Sequence, residues 1–210
     1  MSVLDFKKEY KDLYAPSAVP TLINVPVMRF IMVDGKGNPN DEEGEYSSAI
    51  ELLYGLSYTI KMSPKSGPAP EGYFEYVVPP LEGLWWIDDN SKDFAQKDKY
   101  LWTMMIRQPD FADETVFEAA KETLSRKKKN LDLSKARFVT WQEGLCVQIM
   151  HIGPYEDEPA SVAKIDAYIR ENGLYDDIGE ARRHHEIYLG DPRKTAPEKR
   201  KTILRHPVRR

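Results

Sequence analysis

Two pairs of short echoes limit what this chain can fold into. FIMVDG at 30–35 is echoed by QIMHIG at 148–153, and MIRQP at 105–109 by ILRHP at 203–207. Self-similarity at a long interval is the mark of a duplicated structural unit. The elements between the echoes run in matching order. Residues 21–33 (TLINVPVMRFIMV) are rich in Val, Ile and Phe and predict a strand. A helix is expected over about 43–62, with Ile50, Leu53, Tyr54, Ser57 and Tyr58 along one face. Strands are expected at 73–78 (YFEYVV) and about 99–107.

A helix over 112–130, with Phe117, Ala120 and Leu124 on one side, reads as a connector. Beyond it the order repeats: strands at 137–141 and 145–152, a helix over about 158–172 closed by Gly173, then strands at 183–189 and 201–205. Residues 4–14 read as a short amphipathic helix or arm. The expectation is one α+β domain over 1–210, a tandem pseudo-twofold pair of β-α-β-β units. Half one covers about 20–110, the connector helix about 112–130 and half two about 137–207. Packed duplicates leave a groove, a common place for a ligand. The Gly- and Pro-bearing loops at 34–40 and 63–72 are placed to cover one.

Composition narrows the function classes. The chain has 210 residues, 30% of them charged, with a formal net charge of −4, which argues against nucleic acid as a partner. The basic run Arg126–Lys129 fits a helix C-terminus. No apolar run approaches the roughly 20 residues of a membrane helix, and the charged N-terminus lacks the apolar core of a signal peptide. The one cysteine, Cys146, allows no internal disulfide and sits between Leu145 and Val147; it reads as a packing residue of a cytoplasmic protein.

The stretch His184-His185-Glu186-Ile187-Tyr188-Leu189 carries the chemistry. As a strand it turns His184, Glu186 and Tyr188 one way and His185, Ile187 and Leu189 the other. The second set wants a core. The first puts a carboxylate between a histidine and a tyrosine. Such a group pairs with a flat cation, helped by aromatic rings, or serves as a general base. Glu186 is the first candidate and Glu82, in PLEGLWW, the second. Aromatic candidates for the groove are Trp85, Trp86, Trp102, Trp141, Tyr54, Tyr58, Tyr155 and Tyr188. Trp85 and Trp86 are adjacent in a strand and face opposite ways, so one of them covers something other than the shared core. No metal is expected, because neighbouring histidines on a strand point apart. No cofactor motif is present either.

The stretches PPLEGLWW, LWTMMIRQPDF, HIGPYEDEP and HHEIYLGDPRKTAPEKRKTILRHPV resemble the stand-alone branch of the GyrI-like small-molecule-binding domain family. That branch is related to cyclopropanoid hydrolases and to the drug-binding domains of BmrR-type regulators. The resemblance implies a GyrI-like (SHS2-type) tandem fold with a central, aromatic-lined groove around a glutamate, here Glu186, with Tyr188 and His184 beside it. It implies either of two activities. One is binding of flat lipophilic or cationic compounds. The other is hydrolysis of cyclopropane-bearing DNA-alkylating natural products, with Glu186 as base and Tyr155 or Tyr188 at the substrate oxygen. A protein partner such as DNA gyrase, known for the family's namesake, is the third alternative. No helix-turn-helix segment stands out beside the domain.

Overall fold

The computed structural model describes residues 3–87 and 96–210. The chain forms two compact units. The first gathers Met1–Asp5, Met28–Pro79 and Trp86–Trp141; the second gathers Phe6–Val27, Pro80–Trp85 and Gln142–Arg210. Helices and antiparallel strands both contribute, as expected of an α+β chain. Among the described residues no helix is long and apolar enough to cross a membrane.

The N-terminal arm is two one-turn helices, α1 (Phe6–Glu9) and α2 (Lys11–Tyr14). The first long strand, β1, spans Thr21–Lys36, and α3 spans Glu45–Met62. β2 is Leu81–Ile87, β3 Tyr100–Gln108 and α4 Glu114–Lys127. β4 runs from Ala136 to Ile152, followed by α5 (Glu158–Glu171), the two-residue β5 (Tyr175–Asp176), β6 (His184–Tyr188) and β7 (Lys201–Arg209).

In the first unit β1 and β3 pair antiparallel, with Ile31 opposite Ile106, Val33 opposite Met104 and Gly35 opposite Trp102. Residues 101–106 are nearly continuous in apolar side chains because both faces of β3 are covered. Helix α3 buries Leu52, Leu53, Leu56 and Ile60 and packs on β3 and α4. Its buried face is turned from the expected one. Leu53 and Ser57 are inside, but Tyr54 is only half-buried and Tyr58 is exposed, since the leucines at 52, 53 and 56 bury more apolar area and set the helix's rotation. Asp113 caps α4 by accepting from the Val116 amide at 2.9 Å.

Two strand expectations are corrected. YFEYVV forms no strand: its single parallel bridge joins Leu4 to Tyr76, through Leu4 N–H to Glu75 O at 2.9 Å and Val77 N–H to Leu4 O at 2.8 Å. Its rings are used for packing instead, with Tyr76 and Phe74 against Phe111. Pro79 and Pro80 have no amide hydrogen to give a ladder, and the strand starts after them, at Leu81. The strands expected at 137–141 and 145–152 are one 17-residue strand, β4. Gly144 lies inside it at φ +75°, a left-handed conformation that glycine adopts without strain. The carbonyls on either side, Glu143 O and Leu145 O, accept from Arg182 Nη2 at 2.6 and 2.7 Å.

In the second unit β2 pairs with β6, β6 with β7, and β7 with β4, all antiparallel. Directly opposed residues share a face. One face carries Trp85, the set His184, Glu186 and Tyr188, then Thr202, Leu204 and His206, then Val147, Ile149 and His151. Helix α5 lies on this face, burying Ile165 and Ile169 against Val147, Ile149 and Leu204. The opposite face carries Glu82, His185, Ile187, Arg205 and Gln148. The N-terminal arm lies on that face: Gln148 Nε2 donates to Asp12 O at 2.7 Å and Arg205 Nη2 to Leu13 O at 3.1 Å.

Candidate functional site

The alternation read in β6 is realised. His185 and Ile187 are fully buried, while His184, Glu186 and Tyr188 are partly buried on the other face. Glu186 keeps 15% of its side chain exposed and His184 13%. Tyr188, two residues on, donates its hydroxyl to Glu186 Oε2 at 2.7 Å. The Tyr188 oxygen in turn accepts from the Trp85 indole Nε1 at 2.9 Å. His184 Nε2 lies 3.1 Å from Glu186 Oε1, and His184 Nδ1 lies 2.8 Å from His206 Nε2.

The proton positions in this chain follow from Glu186. An ionised carboxylate only accepts, so His184 Nε2 carries the hydrogen. On the far side of the ring, His184 Nδ1 and His206 Nε2 share one hydrogen across 2.8 Å. Each Glu186 oxygen thus has one donor and retains acceptor capacity. The arrangement holds a carboxylate at a partly exposed position, fixes its orientation, and backs it with a hydrogen-bonded histidine pair.

Tyr155, in the turn that precedes α5, meets Tyr188 edge-on at 6.1 Å between centroids. The Arg200 guanidinium covers its ring at 5.2 Å. Burial pushes the Tyr155 hydroxyl up to about 12; the Arg200 charge opposes this and Glu158, Glu186 and Asp191 add to it. It therefore stays a hydrogen-bond donor at neutral pH. Glu158, at the start of α5, was missed from sequence, where it reads as one more acid of the run EDEP. Burial first, then the charges of Glu186 and Glu156, raise its carboxyl to about 10, with only partial relief from the Thr202 hydroxyl.

Glu82 does not join this face. It is fully buried on the opposite side, where Tyr14 Oη donates to Oε1 at 3.3 Å and His185 Nε2 lies 3.1 Å from Oε2. His185 Nδ1 lies 2.9 Å from Glu143 Oε1. Arg205 Nη1 donates to Glu143 Oε2 at 2.9 Å and Nη2 to Gln148 Oε1 at 3.0 Å. With a carboxylate at each ring nitrogen, His185 is an imidazolium: burial lowers its pKa, but Glu143 and Glu82 outweigh that and hold it at about 9. Burial likewise acts to raise Glu143, and the charges of His185 and Arg205 overcome it, holding the carboxyl at about 2. Two acids and two cations cancel, so this cluster is a closed internal ion network. Cys146 is buried beside it, its thiol pushed up mainly by burial, which fits the packing role.

The remaining aromatic candidates belong to the first unit. Tyr54 and Tyr58 stack at 6.2 Å on α3, and Trp141 meets Phe30 edge-on at 5.9 Å. Trp102 is fully buried and edge-on to Tyr46 at 5.6 Å. Of the adjacent pair, Trp85 faces Tyr188 and Trp86, half-buried, points to the other side of β2. A hollow of about 210 Å³ in the first unit is lined by Trp102 and the acids Asp34, Glu45, Glu51 and Asp132. Asp34 is bound by Arg137 and Thr103 and Glu51 by Lys128, so two of those four acids already have a cationic partner. Among the described residues no cluster of three or more His, Cys, Asp or Glu could hold a metal.

Residues 19–209 match the GyrI-like small molecule binding domain. The chain belongs to that family. An "uncharacterized conserved protein" of Listeria innocua is 50% identical over 98% of this GyrI-like chain and 100% of its own, with a TM-score of 0.93. A protein of the same organism described as a hydrolase is 49% identical over 98% and 100%, with a TM-score of 0.89. The EcmrR C-terminal domain shares the fold at 14% identity over 91% and 97%, with a TM-score of 0.53. No match is found among curated proteins.

Proposed function

We propose that this GyrI-like protein binds flat lipophilic or cationic small molecules against the β6 face, with Glu186 as the charged contact and Trp85, Tyr155 and Tyr188 as ring contacts. The observation that carries this is the Glu186 carboxylate, partly exposed and held by one donor on each oxygen, in an aromatic setting. A fixed carboxylate among rings favours a flat cation by charge and by cation–π attraction. Membership of a small-molecule-binding family supports the reading. So does the repeated strand–helix–strand–strand order, which fits the tandem arrangement expected from the sequence echoes. The test is a fluorescence titration with 10-methylacridinium, a flat cation. The wild type should bind it, and Glu186→Gln, which keeps shape and loses charge, should bind about tenfold more weakly or worse, the scale of a charged hydrogen bond. Equal affinities would remove Glu186 from the site.

A second reading, hydrolysis, is favoured by the hydrolase description of a relative 49% identical and by the His184–His206 pair behind Glu186. Glu186 would take a proton from water. The water oxygen would bond to a cyclopropane carbon as the strained C–C bond breaks, and its electron pair would pass into a conjugated carbonyl. That oxygen would receive a hydrogen bond from Tyr155 and then a proton, so the net change is addition of one water. Mass spectrometry of a cyclopropane-bearing duocarmycin-type compound incubated with wild type and Glu186→Gln tests it. A water adduct made over many turnovers by the wild type alone supports hydrolysis; unchanged compound excludes it for that class.

A further inference from the structure

A second hollow in the first unit, of about 290 Å³, opens where α3 and α4 end. It is lined by Tyr58, Thr59 and Met62 of α3, by Lys65 and Ser66 of the turn that follows, and by Lys127, the last residue of α4. One wall is an apolar ledge. Tyr58 is 51% exposed and Met62 39%; four residues apart, they are neighbours on one side of the helix. Tyr54 stacks on Tyr58 at 6.2 Å and extends the ledge by a turn. The hydroxyl hydrogens of the other wall are spent on backbone: Thr59 Oγ1 donates to Gly55 O at 2.7 Å and Ser66 Oγ to Ser63 O at 3.2 Å.

The remaining lining is cationic. The hollow has two lysines and no acid, in a chain where acids outnumber lysine and arginine by 34 to 30. The neighbouring cations are engaged, Arg126 with Glu122 and Lys128 with Glu51. Lys65 and Lys127 have no ion-pair partner among the described residues. The carbonyl ends of two helices explain why cations collect here. They do not explain why a ring and a thioether stay in water beside them. Single exposed apolar side chains are ordinary, but an aromatic ledge and two unpaired ammonium groups around one hollow fit one kind of molecule.

We infer that this hollow is a binding site for small flat aromatic anions, the class of aryl carboxylates and sulfonates. The rings of the ligand lie on Tyr58 and against the Met62 sulfur, both of which favour aromatic contact. The anionic group takes the Lys65 and Lys127 ammonium groups as partners. A volume of about 290 Å³ is at the small end of ligand pockets, so one or two fused rings fill it. The site has the charge preference opposite to that of the β6 face and shares no residue with it, so it stands or falls independently of that reading.

Two probes with the same rings and opposite charge test this: naphthalene-2-sulfonate and 2-naphthyltrimethylammonium. Each is titrated at pH 7 into protein carrying 13C-methyl methionine. The chain has seven methionines, and Met62→Leu assigns the Met62 signal. The sulfonate should move that signal saturably and the ammonium probe should leave it nearly still. Lys65→Gln combined with Lys127→Gln should weaken sulfonate binding about tenfold, the scale of two exposed ion pairs, and added salt should weaken it in the wild type. Lys129→Gln, in the same basic run but outside the hollow, should stay within about twofold. Lys65, Lys127 and Lys129 are all exposed, so these variants keep the fold. A Met62 signal that the sulfonate does not move, equal movement by both probes, or equal loss in Lys129→Gln overturns the assignment.

Discussion

Tyr188 and Glu186, two residues apart on β6, meet at 2.7 Å on the same face of the strand, and the Tyr188 oxygen accepts from Trp85 Nε1 at 2.9 Å. Tyr188 is thus the link between a buried indole and a partly exposed carboxylate. Tyr188→Phe removes the link while keeping the ring. It leaves the Trp85 N–H without that acceptor and Glu186 with one donor fewer. An unmatched buried donor costs about 1–3 kcal/mol, so urea denaturation should show destabilisation in that range, with weaker binding of a flat cation as Glu186 loses its fixed orientation.

Stability should depend on pH with a sign set by three groups. Glu158 is raised to about 10 in the folded chain from an ordinary 4.5, and His185 to about 9 from 6.5. A raised group contributes fully below its ordinary value and loses its contribution as pH rises through the folded one. Glu143, lowered from 4.5 to about 2, contributes above 4.5 and is lost as pH falls through 2. The melting temperature should therefore be highest at mildly acidic pH, falling toward pH 9 and toward pH 2. Glu158→Gln mimics the neutral acid, so it should flatten the alkaline decline and melt above the wild type at about pH 8. Calorimetry across that range checks both.

The buried ion network is a stability element. Arg205 is fully buried and binds Glu143, Gln148 and the arm carbonyl Leu13 O. Removing one partner from a buried pair costs about 3–5 kcal/mol, whereas replacing both with apolar groups costs far less. Arg205→Met should lose about that much in guanidinium denaturation, and Arg205→Met with Glu143→Leu should recover part of it.

In the first unit, Gly35 is held to glycine by its cross-strand partner. A Cβ there would lie 2.1 Å from the Trp102 ring, which is fully buried and cannot withdraw. Gly35→Ala should destabilise by roughly 1–3 kcal/mol or more, the scale of overpacking. Trp102→Leu in the same chain should relieve the clash, a rescue visible as a rise in the denaturation midpoint.

How much of this was legible depends on the range of the interaction. The β6 face was readable because a strand has a period of two: Ile187 fixed the inward side and so placed Glu186 outward. The buried roles of Glu82 and His185 were not, because Glu82, Glu143, His185 and Arg205 lie up to 123 positions apart and nothing local marks them as partners. Glu158 drew no reading from the sequence, because nothing in GPYEDEP shows that α5 lies on the Glu186 face. YFEYVV misled because its β-prone letters serve ring packing around Phe111, and a propensity for pleated surface does not supply a pairing partner. The two strands expected at 137–141 and 145–152 are one because Gly144, between them, holds a left-handed conformation within the continuous strand β4.

The central claim is that a ligand sits against Glu186, and the Trp85 indole reports on that spot. The chain has four tryptophans, so an amide-correlated NMR spectrum offers four indole N–H signals, with Trp85 assigned through Trp85→Phe. Titration with 10-methylacridinium should move the Trp85 signal in the wild type and leave it nearly still in Glu186→Gln at the same ligand concentration. Saturable binding with an unmoved Trp85 signal, or the same movement in both proteins, would contradict the account.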